Sequence, residues 1–133
     1  MSEVRGTGWS LALTSPWQAS NDGDCVSIAH LDGLGALQIS AARKNTMVTD
    51  DDLADFAADH LDAGARAIPV TLGDFSGLAI RYGVDGTHWR QWFLRHGPVA
   101  LLVTYNCAEA DRGIEDADVD RMLGSLRGRS NNG

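Results

Sequence analysis

The sequence predicts an α+β fold: a mostly antiparallel sheet of about six to eight strands, a long helix in the middle of the chain, and a C-terminal helix packed on it. Three observations predict this. Residues 75–84, 87–95 and 99–107 read as consecutive strands, joined by Asp85-Gly86 and by His96-Gly97-Pro98. Asp-Gly between two β-rich runs is a strong hairpin signal, because a type I′ turn needs two residues that tolerate positive φ. Residues 49–64 carry the clearest helical pattern, and a second pattern lies near the C-terminus. Strands thus run in groups between single helices, without strict βαβ alternation.

In chain order, Trp9, Leu11 and Leu13 alternate with Ser10 and Ala12, as in a half-buried strand. Pro16-Trp17 then turns the chain. Asp22-Gly23 precedes a strand at 25–31, and Asp32-Gly33 separates it from another at 36–42. Thr49 is the expected N-cap of the long helix, followed by Asp50, Asp51 and Asp52 where negative charge suits the macrodipole. Val48 and Leu53 stand where a hydrophobic staple would form. Leu53, Phe56, Ala57, His60 and Leu61 make the expected buried stripe, with Gly64 as the C′ residue. Residues 67–72 read as a strand that Pro69 pushes towards an edge or a bulge. Val119, Met122, Leu123 and Leu126 repeat at i, i+3, i+4, i+7, which defines the terminal helix, with Glu115 or Asp116 near its N-cap. Residues 1–133 form one domain, and 128–133 are expected to be a disordered tail.

With Asp85-Gly86 as a two-residue loop, Tyr82 faces Trp89 and Arg81 faces Arg90. With His96-Gly97 as the next loop, Arg90 faces Val103, Trp92 faces Leu101 and His88 faces Tyr105. Neither face of this meander is cleanly polar, so both are expected to be covered. The pairing of Arg81 with Arg90 is unusual, since like charges across a ladder repel.

The chain has 133 residues, 44% of them apolar and 22% charged, with a formal charge of −7. That length buries roughly 70% of the unfolded surface, so no metal or disulfide staple is required. The acidic balance argues against nucleic acid, which is bound through basic patches, and suits a basic protein or peptide, or a metal ion. The first ten residues contain no apolar signal core, and the longest apolar run, 99–103, is far too short to span a membrane. A cytoplasmic location is the default expectation. Cys25 and Cys107 are then expected as small buried hydrophobes, not a disulfide.

No CxxC, HExxH, GxSxG or glycine-rich phosphate loop occurs, so no catalytic residue, metal or cofactor is implied. The run of Asp50, Asp51 and Asp52 reads as helix capping, since consecutive carboxylates on a helix point in different directions. His60, on an apolar stripe, reads as a core residue. What remains is a sheet face with Arg81, His88, Arg90 and Tyr105, and Trp89 as an interface anchor if exposed. Two adjacent arginines could clamp a carboxylate or phosphate, or pair with acids of a covering helix or of the loop around Glu109 and Asp111.

The pattern resembles the PsbP-like fold family. The matching features are the early strand closing on Pro16-Trp17, the helical run 49–64, and the meander with Gly77 and Gly86. Val103-Thr104-Tyr105-Asn106-Cys107, an acidic loop and a helix finishing in Leu123-Gly124-Ser125-Leu126 complete it. The family includes extrinsic photosystem subunits, a Ran-binding import factor and Eag-type chaperones of secretion effectors. Its members mostly act by binding other proteins, so the resemblance implies an adaptor, chaperone or immunity-type role. Exported members of the family carry a signal peptide, and none is visible in residues 1–10 here, so their envelope roles are not expected of this chain. The other class left open is a small-molecule or anion-binding protein, or a hydrolase, with a pocket around Arg81, Arg90 and His88.

Overall fold

The computed structural model describes residues 2–23 and 25–129. Ten strands are built, β1 (Ser2–Gly6), β2 (Trp9–Leu13), β3 (Trp17–Asp22), β4 (Cys25–His30), β5 (Gly35–Arg43), β6 (Ile68–Leu72), β7 (Phe75–Val84), β8 (Thr87–His96), β9 (Val99–Ala108) and β10 (Arg127–Gly128). Three short helices accompany them, α1 (Asp50–Phe56), α2 (Ala58–Asp62) and α3 (Asp116–Gly124). Seven strands form the main sheet in the order β3-β4-β5-β9-β8-β7-β6, and β1-β2-β10 form a small second sheet. Every pairing is antiparallel.

The β7–β8 hairpin has the expected register, with Arg81 opposite Arg90 and Tyr82 opposite Trp89. Asp85 at φ 50° and Gly86 at φ 82° form the turn, as a type I′ loop requires. The next hairpin differs from expectation by two residues. Arg90 lies opposite Tyr105, Trp92 opposite Val103 and His88 opposite Cys107. Gly97, at φ 57°, takes the first loop position and Pro98 the second. Pro98 carries no N–H for a ladder, so seating it in the loop is the cheaper arrangement. A two-residue slip keeps every side chain on its expected face.

Sheet alternation divides the core in two. Trp92, Leu94, Leu101, Val103 and Tyr105 pack with α3 and with Trp9 and Leu11 of the small sheet. Phe93, Ala100 and Ile80 pack beneath Val48, Leu53 and Ala57. Both faces are therefore covered, as the lack of a polar face implied. The helices lie on opposite faces of the sheet, so the C-terminal helix does not pack on the central one.

The expected long helix is also broken. Thr49 caps α1 through a reciprocal box: its Oγ1 accepts from the Asp52 N–H at 3.2 Å, and the Asp52 carboxylate accepts from the Thr49 N–H at 2.9 Å. Val48 and Leu53, the staple pair, are both buried in one cluster. At Ala57 the backbone relaxes to φ −90°, ψ 0°, ending α1 and starting α2. Six of the residues in 49–64 are aspartates, poor helix formers in interior positions, and no Lys or Arg supplies i,i+4 support. The docked residues are Leu53, Ala57 and Leu61, whereas Phe56 is left 46% exposed, contrary to the expected stripe. His60 is half-buried and rests on the Tyr82 ring, with centroids 4.9 Å apart. Gly64 takes the C′ position at φ 96°.

Three strands, β1, β3 and β10, escape the sequence pattern. β1 pairs β2, and β3 forms one edge of the main sheet against β4. Across 17–21 of β3 only Trp17 is buried, so no alternation marks it. Gly128, placed by sequence in the tail, belongs to β10, and the Arg129 N–H donates to Gly8 at 3.0 Å. The rest of that expected tail, 130–133, lies outside the described residues. Cys25 and Cys107 are both free thiols, with Cys107 buried and Cys25 half-buried. No described helix is long and apolar enough to cross a membrane.

The capping box gives a direct test. Thr49→Ala should destabilise the fold by about 1 kcal/mol, read from urea unfolding with an unchanged m-value. No loss would mean that α1 is held by Leu53 burial alone.

Candidate binding cleft

Because Arg81 and Arg90 are cross-strand partners, their side chains leave the same face of the sheet, the face that α3 covers. Asp116 and Asp120, four residues apart, lie on one side of α3 and meet them. Asp116 bridges the pair, its Oδ2 accepting from Arg81 Nη1 at 3.4 Å and its Oδ1 from Arg90 Nη1 at 3.2 Å. Asp120 Oδ1 accepts from Arg90 Nη2 at 2.6 Å. The Arg90 guanidinium also lies over the Trp92 ring, 4.6 Å from its centroid. The Arg90 side chain is only 8% exposed, whereas that of Arg81 is 51% exposed. The partners of the arginine pair thus come from the terminal helix. The loop acid Glu109 pairs with Arg112 instead, at 3.3 Å.

Tyr105 supplies the second tie to α3. Its hydroxyl donates to Glu115 Oε1 at 2.6 Å, and the Gly35 N–H donates to the same oxygen at 3.0 Å. Glu115 is the N-cap residue of α3, yet its carboxylate reaches the sheet instead of the helix N–H groups. Gly35 is required here, because a Cβ would sit 2.7 Å from the Tyr105 hydroxyl. Burial, and then Glu115, raise the Tyr105 phenol well above its ordinary value, so it remains a donor.

His88 lies on the same face near the end of the sheet, nearly fully buried, with Nδ1 4.0 Å from Glu109 Oε2. Its Nε2 has no hydrogen-bond partner among the described residues. Burial lowers its pKa, a trend that Glu109 partly opposes. Trp89 does not join this group. It lies on the opposite face, half-buried, stacked on Tyr82 with centroids 6.1 Å apart. Structure therefore brings together Arg81, His88, Arg90 and Tyr105 and separates Trp89 from them.

A cleft lies in the gap between α3 and the edge strand β6. It encloses about 370 Å³ between Ile68, Val70 and Leu72 of β6, Ala79 of β7 and Trp92 of β8. Arg66, Arg81, Arg90 and Asp120 complete its lining. The volume falls in the usual range for ligand sites, which are mainly apolar with a few convergent polar groups. A second, more open hollow of about 550 Å³ lies beyond Arg81, lined by His88, Glu109, Arg112 and Asp116. Its charges are mutually paired and its walls less apolar. Sequence reasoning missed Arg66, the β6 residues and Asp120. The usable signal was the alternation of Ile68, Val70 and Leu72 with Pro69 and Thr71, which places three apolar side chains on one face of an edge strand. Among the described residues no group of three His, Cys, Asp or Glu side chains could hold a metal.

No protein-family model matches the chain, and no curated protein matches it in sequence. Solved structures match in fold. A protein from Bacteroides thetaiotaomicron superposes with a TM-score of 0.71 at 18% identity, over 98% of this chain and 48% of that one. The chain spans about half the length of that protein. LpqN, involved in cell envelope biogenesis of Mycobacterium tuberculosis, matches with a TM-score of 0.63 at 14% identity, over 97% of this chain and 85% of its own. At these identities the likeness is one of fold alone.

Two measurements test the electrostatics. Arg90→Ala removes a desolvated cation, its stacking on Trp92 and two carboxylate contacts. A fully buried pair would cost about 3–5 kcal/mol to break, but Asp120 is partly hydrated, so a loss of about 2 kcal/mol is expected. Arg81→Ala, at an exposed bridge, should cost under about 1 kcal/mol. Equal losses in urea unfolding would contradict this division. His88 sets a pH dependence. Its folded pKa lies below the ordinary 6.5, so the unfolded chain takes up the proton first. Its contribution is complete above 6.5 and declines as pH falls through 6.5 towards the folded value. The urea midpoint should drop between about pH 7.5 and pH 5.5, and drop less in His88→Leu. An equal drop in the variant would place the titrating group elsewhere.

Proposed function

We propose that this chain is a non-enzymatic binding domain that recognises a protein or peptide partner, with the cleft between β6 and α3 as its site. The observation that carries this reading is the cleft itself, a preformed apolar hollow at a sheet edge whose mouth keeps Ile68 56% exposed. An uncovered large apolar side chain beside a preformed cleft suits insertion of a partner's side chain. The resemblance to PsbP-like proteins, which mostly act by binding other proteins, supports the same reading. So does the lack of catalytic motifs in the sequence. A hydrolase built on Arg81, Arg90 and His88 has less support. Arg90 is saturated by Asp116 and Asp120, and the thiol opposite the buried His88, that of Cys107, is itself buried and held protonated by that burial. A cytoplasmic location belongs to this reading, supported by two free thiols.

Photocrosslinking tests the site. Ile68→p-benzoylphenylalanine in the native host should yield a discrete adduct, and Ile114→p-benzoylphenylalanine, equally exposed on the loop before α3, should not. Val70→Asp, which places a carboxylate in the apolar wall, should abolish the adduct at position 68. Identical adducts at both positions, or none at 68, would reject the cleft as the site.

A further inference from the structure

We infer that the cleft receives the C-terminal end of an extended peptide, its last side chain large and apolar and its terminal carboxylate bound by Arg66 and Arg81. This rests on the cleft being the binding site, as proposed above. The first argument is charge. The chain carries a formal charge of −7, yet this one cleft gathers three arginines against Asp120. Asp120 and Asp116 are already engaged by Arg90. Arg66 has no ion-pair partner among the described residues. Among the described residues Arg81 has only the 3.4 Å contact to Asp116, with half its side chain in solvent. Two guanidinium groups thus keep free donors at the rim of an apolar hollow, which is the complement of an apolar group bearing a carboxylate.

The second argument is the sheet edge. β6 is the last strand of the seven-stranded order, paired on one side by β7. Its other side can accept the main chain of an added segment, with alternate side chains directed into the cleft. Pro69 removes one donor from the strand, so the added segment is short. Ile68, Val70 and Leu72 face the cleft, and its volume of about 370 Å³ suits one or two large side chains. A carboxylate, an apolar side chain and a few residues of extended backbone together describe a peptide terminus.

The test uses N-acetylated pentapeptides ending in Leu, Val or Phe, each prepared as the free acid and as the C-terminal amide, with decanoate alongside. Titration calorimetry measures affinity, and amide chemical shifts locate the site on the full chain. At least one free acid should bind with shifts centred on residues 66–72 and 79–81, and its amide should bind about tenfold more weakly. Arg66→Ala, at an exposed position, should narrow the difference between acid and amide, and Arg66→Ala with Arg81→Ala should erase it. Equal affinity for acid and amide, with shifts in the cleft, would overturn the carboxylate inference and leave the cleft standing as a binding site. Binding of decanoate but of no peptide would overturn the peptide as occupant. Failure of every probe to shift cleft residues would overturn the inference. The adduct at position 68 would then decide separately whether the cleft is a site at all.

Discussion

Two guanidinium groups face one another across the β7–β8 ladder, and much of the molecule is arranged to tolerate them. Arg90 is almost completely removed from water, and desolvating such a cation costs several kcal/mol unless it is compensated at close range. Compensation comes from three directions: Asp116, Asp120 and the face of Trp92. Asp116 also reaches Arg81, so one carboxylate relieves the repulsion between the pair. The first turns of α3 are thereby placed over the meander. The Tyr105–Glu115 bond fixes its N-cap, while Val119, Met122 and Leu123 bury its apolar side. Once α3 is held there, its distance from β6 is set, and the cleft is the space that remains.

How much of this was legible in the sequence varied with the range of the determinant. Asp85-Gly86 fixed the first hairpin, because turn chemistry and register are both local. The second hairpin slipped by two, since Gly-Pro admits more than one loop and only the missing Pro98 N–H favours the observed one. The slip did not disturb the grouping of Arg81, His88, Arg90 and Tyr105, because an even shift preserves the face. The same parity argument explains why Trp89 parts from them. Strand β3 left no trace, as residues 18–21 are exposed along an edge and, of 17–21, only Trp17 enters the core.

The central helix shows the opposite failure. Its cap, staple and C′ glycine were all legible and all present, yet the segment breaks at Ala57. End signals define where a helix can start and stop, while continuity depends on interior propensity and on the surface beneath. The interior is rich in aspartate, and the sheet below takes up Leu53, Ala57 and Leu61 but not Phe56. The side of the sheet on which each helix settles is not written in either helix. It follows from sheet alternation, which separates Trp92 from Phe93, and from the long-range acids that seek Arg90. For that reason the arginine pair was visible as a candidate, whereas the cleft beside it, which needs the position of α3, was not.

The overall charge is a poor guide to what such a site prefers. Asp51, Asp55 and Asp59 are exposed on the helices of one face, while the three arginines of the cleft belong to the other. Layers packed on a sheet stand about 10 Å from it, comparable with a Debye length of about 8 Å at physiological ionic strength. Each face therefore presents its own sign to a partner at contact distance. The net negative charge acts on the approach of a partner from afar, where it favours basic surfaces. At the cleft the local guanidinium groups dominate, and their desolvated neighbours strengthen any hydrogen bond they make. A basic partner with an acidic, apolar end would satisfy both fields, so the preference read from composition and the preference read from the cleft are compatible within one ligand.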